Sequence, residues 1–109
     1  MHKTNLDVAL SSLSEPWQSV TVACFNGNEV MVAKAKDSYP WHKHDDTDDL
    51  FLVLKGNLTI ELRDQSVHLG PGELFVVPRG VEHRPVATQE AHFILIEPPS
   101  TAKNGTTFL

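Results

Sequence analysis

Residues 41–56 read Trp41-His42-Lys43-His44-Asp45-Asp46-Thr47-Asp48-Asp49-Leu50-Phe51-Leu52-Val53-Leu54-Lys55-Gly56. This stretch carries a fold signal and a chemical one. Leu50–Leu54 is apolar without alternation, as in a strand covered on both faces, and Gly56-Asn57 supplies a turn. The preceding residues hold six potential metal ligands in eight positions, His42 to Asp49. His42 and His44 stand two apart, so in an extended chain both imidazoles point to one side and can converge on one ion. Neutral imidazole suits zinc, copper, iron and nickel, and a carboxylate extends the range to manganese. Spacing alone equally allows a solvated loop in which histidines and aspartates hydrogen-bond without a metal. An acidic run such as Asp45–Asp49 is by itself an ordinary solvated face.

Outward from this stretch, turn signals separate short apolar runs. In Ser19–Phe25, Val20, Val22 and Cys24 alternate with Thr21 and Ala23, which makes Cys24 a small core residue. Asn26-Gly27-Asn28 follows, and Asn-Gly marks a tight hairpin because both residues tolerate positive φ. Glu29–Lys36 continues as a strand through Val30 and Val32. After the turn at Gly56-Asn57, Leu58, Ile60 and Leu62 alternate with Thr59, Glu61 and Arg63, predicting a half-buried strand. Val67–Leu69 leads into Gly70-Pro71-Gly72, Leu74–Val77 ends at Pro78-Arg79-Gly80, and Ala91–Ile96 closes the series. Short strands with Gly/Pro turns and no long helical pattern predict an all-β sandwich or barrel. The two-sided apolar strands exceed what one small barrel needs inside. Part of its outer surface is therefore expected to be covered, most simply by a second copy in a homodimer.

The flanks add little chemistry. Residues 6–14 predict a short helix with Leu6, Leu10 and Leu13 on one face and Pro16 forcing a stop. The tail from Pro98 to Gly105 is polar and is expected to be loose or laid over the surface. The expected organisation is an N-terminal segment 1–17, a barrel 18–97 and a tail 98–109. The chain of 109 residues suits one domain, and 40% apolar and 21% charged residues suit a globule. Nine basic against 14 acidic residues, a net charge of -5, give no electrostatic footprint for nucleic acid or an anionic membrane. The first fifteen residues lack the apolar run of a signal peptide and no stretch approaches a membrane span, so a cytoplasmic location is the expectation. One cysteine excludes an intrachain disulfide.

Of the six histidines, His2 lies in the terminal segment, and His68 and His92 lie in strands without partnering ligands. These three read as structural or exposed. His83 stands 39 residues after His44, just past the Pro78-Arg79-Gly80 turn, and in a barrel it could face the point to which His42 and His44 converge.

These residues resemble the two motifs of the cupin superfamily, in its small single-domain form. The first motif is H-x-H, three or four residues, Glu, six residues, Gly; here His42-Lys43-His44 is followed by four residues, Asp49, six residues and Gly56. The second is G-x5-P-x-G-x2-H-x3-N; here Gly72, Pro78, Gly80 and His83 are in register, and Ala87 replaces the Asn. On background frequencies of ~7% Gly and ~5% Pro, the three glycines and one proline coincide by chance at roughly 2 × 10⁻⁵. The resemblance implies a cupin barrel (double-stranded β-helix, jelly-roll-like), often dimeric, with one divalent transition metal ion inside: zinc, iron, manganese or nickel. Carried over residue by residue, the implied ligands are His42, His44, Asp49 and His83. Asp49 is one methylene shorter than the family's Glu and reaches about 1.5 Å less far, so it binds directly after a strand shift, binds through water, or leaves a three-histidine site. Asp48 is the neighbouring alternative, but in a regular strand it points to the other face.

Fold does not select a reaction. One reading is a metal-dependent enzyme, of isomerase or oxygenase type, acting on a small polar or sugar-like molecule inside the barrel. The alternative is a non-catalytic module binding a small ligand or the metal alone. No catalytic residue is assigned. Glu61 and Glu73 are available carboxylates without an evident role as bases. Arg79 and Arg84 flank His83 and either engage an anionic ligand or stand as surface arginines. Trp41 and Tyr39 line the entrance or pack against the barrel end.

Overall fold

Two adjacent left-handed residues, Asn26 (φ 49°) and Gly27 (φ 80°), reverse the chain where the sequence marks its tightest hairpin. In the computed structural model, which describes residues 2–99 and 106–108, this turn joins β1 (Ser19–Phe25) to β2 (Asn28–Ser38) with Phe25 opposite Asn28. The chain continues through β3 (Trp41–Lys43), β4 (Asp49–Lys55), β5 (Leu58–Leu62), β6 (Ser66–Leu69), β7 (Leu74–Val77), β8 (His83–Glu97) and β9 (Thr106–Phe108). A single short helix, α1 (Leu6–Ser11), precedes them. The fold is all-β, and every strand pairing is antiparallel.

The barrel is organised by β8. Its first part, from His83, pairs with β5 on one edge and with β3 and the end of β2 on the other. Its second part, from Ala91, pairs with β4 and with the start of β2. The change of partner falls at Thr88–Glu90, all exposed, opposite register shifts in β2 (between Ala35 and Asp37) and β4 (between Val53 and Lys55). Such bulges bend a strand and let it serve two sheets. Gly56 sits against this bend: a Cβ there would lie 3.0 Å from the Glu90 carbonyl oxygen and 3.1 Å from Ala91 Cα, at a φ of +79°. Only glycine satisfies both conditions without a shift. From the sequence only Ala91–Ile96 is expected as a strand. The earlier part is added because four strands need a common partner, although Pro85 offers no N–H.

Inside the barrel, Phe51, Val53, Leu58, Ile60, Val77 and Phe93 form the main core. Outside it, Leu10 and Leu13 pack on Val32, Val20, Val22, Leu54 and Ile94. The helix is shorter than the expected 6–14; Asn5 caps its start by accepting from Val8 N–H at 3.0 Å, and Ser12 ends it, yet Leu13 remains buried. The protein's own helix thus covers much of the outer apolar face that the sequence assigned to a second copy. Leu74 and Val76 on β7 remain exposed.

One further expectation is corrected. Cys24 is exposed, because β1 is an edge strand and only Val20 and Val22 of its alternating set lie half-buried beneath α1. Beyond the stretch expected to be loose, Thr106–Phe108 pairs with β3. The loose stretch expected over 98–105 falls largely on 100–105, outside the described residues. Among the described residues, no helix is long and apolar enough to cross a membrane.

Candidate metal centre

His42 and His83 face each other directly across the β3–β8 pair, with ring centroids 4.2 Å apart. His44 follows on the same face two residues on, and Asp49 opens β4. The loop between them is clasped to the Pro78-Arg79-Gly80 turn: Gly80 N–H donates to the His44 carbonyl at 2.7 Å, and Arg79 N–H donates to Asp48 Oδ1 at 2.9 Å. Asp48 therefore fastens the two motif segments together and points away from the cluster. One donor atom from each of His42, His44, Asp49 and His83 falls within 4.8 Å of every other. The structure brings together all four residues singled out in the sequence. The shorter Asp49 side chain still reaches: its Oδ2 lies 3.0 Å from His44 Nε2 and 3.1 Å from His83 Nε2.

The hydrogen bonds fix the direction of the imidazoles. His42 Nδ1 lies 2.9 Å from the Pro40 carbonyl oxygen, and His83 Nδ1 lies 2.9 Å from the Val81 carbonyl oxygen. A carbonyl oxygen only accepts, so each Nδ1 carries the proton and donates. In a neutral ring Nε2 is then a bare lone pair. For His83 that lone pair would face the Asp49 carboxylate, placing two acceptors against each other. A proton or a metal cation between the two groups resolves this. The same carboxylate is buried and also shares a hydrogen bond with the neighbouring Glu97 carboxyl. Backbone-anchored imidazoles with free Nε2 atoms converging with a buried carboxylate fit a divalent metal ion.

Electrostatics agree with that fit. Burial pushes His42 down to about 4, with the neighbouring His83 and His44 adding to the effect against the Pro40 hydrogen bond, so the ring is neutral and available as a ligand at neutral pH. Burial alone would raise Asp49, but interactions with His44, His83 and Glu97 outweigh it and hold the carboxyl well below its usual range.

Glu97 is the residue that sequence reasoning missed. It is 6% exposed, lines the same cavity, and is pushed up to about 9 by burial first and by the adjacent Asp49 second. A signal existed: extending the inward series Ala91, Phe93, Leu95 by one step reaches Glu97. Trp17 was missed as well. It lines the cavity from the segment before β1 and holds a left-handed backbone, φ 68°. For a bulky residue such a conformation costs on the order of 1–3 kcal/mol. Its N–H donates to the Lys34 carbonyl at 2.7 Å, which keeps the segment in place.

The other candidates have structural roles. Arg84 pairs with Glu61, Nε at 2.8 Å, and Arg79 with Asp48. Glu73 accepts from Gly70 N–H at 2.7 Å and closes its turn. Trp41 faces away from the site, with Arg63 over its ring at 3.9 Å and Arg84 at 5.1 Å. Tyr39, in contrast, lines the cavity and meets His42 edge-on at 5.2 Å. His68 bonds Thr59 at 2.9 Å and His92 pairs with Glu90 at 3.0 Å, both away from the site.

A β-barrel closed around inward-facing imidazoles and a carboxylate that could hold a metal ion defines the class of protein. The cupin domain model matches residues 28–97, and the chain belongs to the cupin family. A cupin-2 domain containing protein from Shewanella frigidimarina is 37% identical, with 87% of this chain and 93% of that one aligned at a TM-score of 0.85. A Neisseria meningitidis protein is 28% identical, over 89% and 99% of the two chains, at a TM-score of 0.81. The uncharacterised protein YdbB of Bacillus subtilis is 31% identical over 81 residues, 73% of this chain and 72% of its own.

Proposed function

We propose that His42, His44, Asp49 and His83 hold one divalent transition metal ion, zinc, iron, manganese or nickel, and that the protein is a metal-dependent enzyme acting on a small molecule in the cavity beside it. The observation that carries this reading is the convergence of one donor atom from each of His42, His44, Asp49 and His83 within 4.8 Å of one another, with His42 and His83 anchored through Nδ1 to backbone carbonyls. Four protein donors leave positions open on a five- or six-coordinate ion. A bound ion would supply Lewis acidity or, if redox-active, electrons. The chain's own residues do the rest. The Pro40 and Val81 carbonyls orient the rings, and Asp49 offsets the ionic charge. Glu97, neutral at neutral pH, holds a proton at the cavity wall beside Asp49. Isomerisation and oxygenation both suit this donor set. A non-catalytic ligand-binding module is the second reading, supported by Glu61 and Glu73 being tied up in the scaffold. The exposed Leu74 and Val76 support a homodimer through β7, which a monomeric mass in light scattering at micromolar concentration would overturn.

Metal analysis of untagged protein tests the centre. The expected result is about one equivalent of a transition metal per chain; less than roughly a tenth of an equivalent after purification without chelators overturns the reading.

A further inference from the structure

Six rings form a closed circuit of contacts beside the cavity, and all of them but His83 line it. His42 meets Tyr39 at 5.2 Å between centroids, Tyr39 meets Trp17 at 5.3 Å, and Trp17 meets Phe93 at 6.3 Å. Phe93 meets Phe51 at 5.9 Å, Phe51 meets His83 at 6.0 Å, and His83 returns to His42 at 4.2 Å. Most of these contacts are tilted or edge-on, the geometry in which aromatic rings attract one another. The cavity measures about 160 Å³ and opens to solvent on one side. An apolar cavity of about 150 Å³ is known to take one benzene molecule. Apart from the four proposed metal ligands, the acidic or hydroxyl side chains on the wall are Ser19, Tyr39 and Glu97.

We propose that the cavity binds a single planar aromatic ring carrying phenolic oxygen directed at the His42/His44/Asp49 end, and that Trp17 and Tyr39 set this specificity. The inference rests on the metal-centre reading above and names the ligand class for it. The size fits one six-membered ring. A sugar of that ring size adds a hydroxyl at most carbons, more than Ser19, Tyr39, Glu97 and the Trp17 indole N–H can pair, and each one left unpaired at the buried end is costly. Trp17 supplies the second line of argument. Its left-handed backbone is one that glycine or asparagine would adopt more easily, so the position retains its indole against a conformational cost. All four aromatic side chains line the cavity, but Phe51 and Phe93, at 2% exposed each, belong to the buried core, whereas the half-buried Trp17 packs against that core and Tyr39 is 37% exposed. Trp17 and Tyr39 are specificity residues that touch the ring; they do not enter the chemistry.

The test compares catechol with cis-cyclohexane-1,2-diol, which offers the same two oxygens on a saturated ring. Binding is measured by calorimetry on full-length protein whose metal content is determined in the same sample. Catechol is expected to bind at least about threefold to tenfold more tightly than the saturated diol. Trp17→Ala should remove most of that preference with metal content unchanged, and Trp17→Phe should restore it. Metal-loaded protein that binds the two diols equally, or that keeps the preference in both Trp17→Ala and Tyr39→Leu, overturns the inference and leaves the metal reading intact. Protein that takes up no metal overturns the metal reading. The ring preference is then decided in that sample by phenol against cyclohexanol, where equal binding overturns it.

Discussion

The same three strands, β2, β4 and β8, build two opposite faces of the barrel wall. Outward, Val32, Leu54 and Ile94 meet Leu10 of α1 and Leu13 just beyond it, and nothing else is required of them. Inward, near the ends of the same strands, lie Asp49 and Glu97, 3% and 6% exposed, with His42 and His83 beside them. The outer face is pure packing: each apolar group is matched by another, and its role is stability. The inner end is costly on every count. It buries two carboxyls together and aims a histidine lone pair at one of them. A chain optimised only to fold would place leucine there. Where one wall carries both kinds of face, the expensive one marks the function.

Four perturbations sharpen or break this contrast. The largest effect is expected for His44→Ala, which should lower metal affinity by more than about 100-fold, beyond the 10- to 100-fold cost of disturbing a group that merely supports a ligand. Thermal stability of the metal-loaded protein should fall with it, since a bound ion stabilises only the native state. Unchanged metal content would place the centre elsewhere. Next, Leu10→Ala should destabilise the fold by about 2–4 kcal/mol in denaturant unfolding while leaving metal content as it was. Loss of metal in this variant would show that the two faces are not separable.

The third concerns pH in the metal-free protein. The folded-state pKa of Glu97 is raised, so the native chain holds a proton that the unfolded chain releases. Its contribution is complete below the ordinary carboxyl range and drains away as pH rises toward about 9. Burial lowers His42 instead, so stability drains as pH falls from the ordinary histidine range to about 4. Glu97→Gln should flatten the alkaline flank and leave the acid flank in place, as read by unfolding midpoints across pH. An alkaline flank that persists in the variant contradicts the account of Glu97. The smallest effect belongs to Cys24→Ser, on the exposed edge of β1, which should stay within about 0.5 kcal/mol of the parent.

The barrel and the four clustered residues were legible because they rest on local features. Hairpin turns, alternation, and the register of His42, His44, Asp49 and His83 with glycines and a proline all appear in the linear sequence. The outer apolar face was legible too, but its cover was not. Whether Leu54 and Ile94 meet a second copy or the chain's own helix depends on where α1 docks, and periodicity does not encode docking. Cys24 fits an alternating strand, and only its position on an edge exposes it. Trp17 lies in no element, and its place on the cavity wall follows from a left-handed backbone that no propensity predicts. Glu97 lay one residue past the expected end of its strand, where boundaries are least certain.

The central claim is that the buried, conflicting donors of the inner face exist to hold a metal ion. An anomalous-scattering map of the native protein tests it most directly. The account predicts one peak about 2.0–2.2 Å from His42, His44 and His83 nitrogens and an Asp49 oxygen. A map without a peak there, in protein grown with transition metals available, would contradict it and leave a doubly protonated histidine as the partner of Asp49.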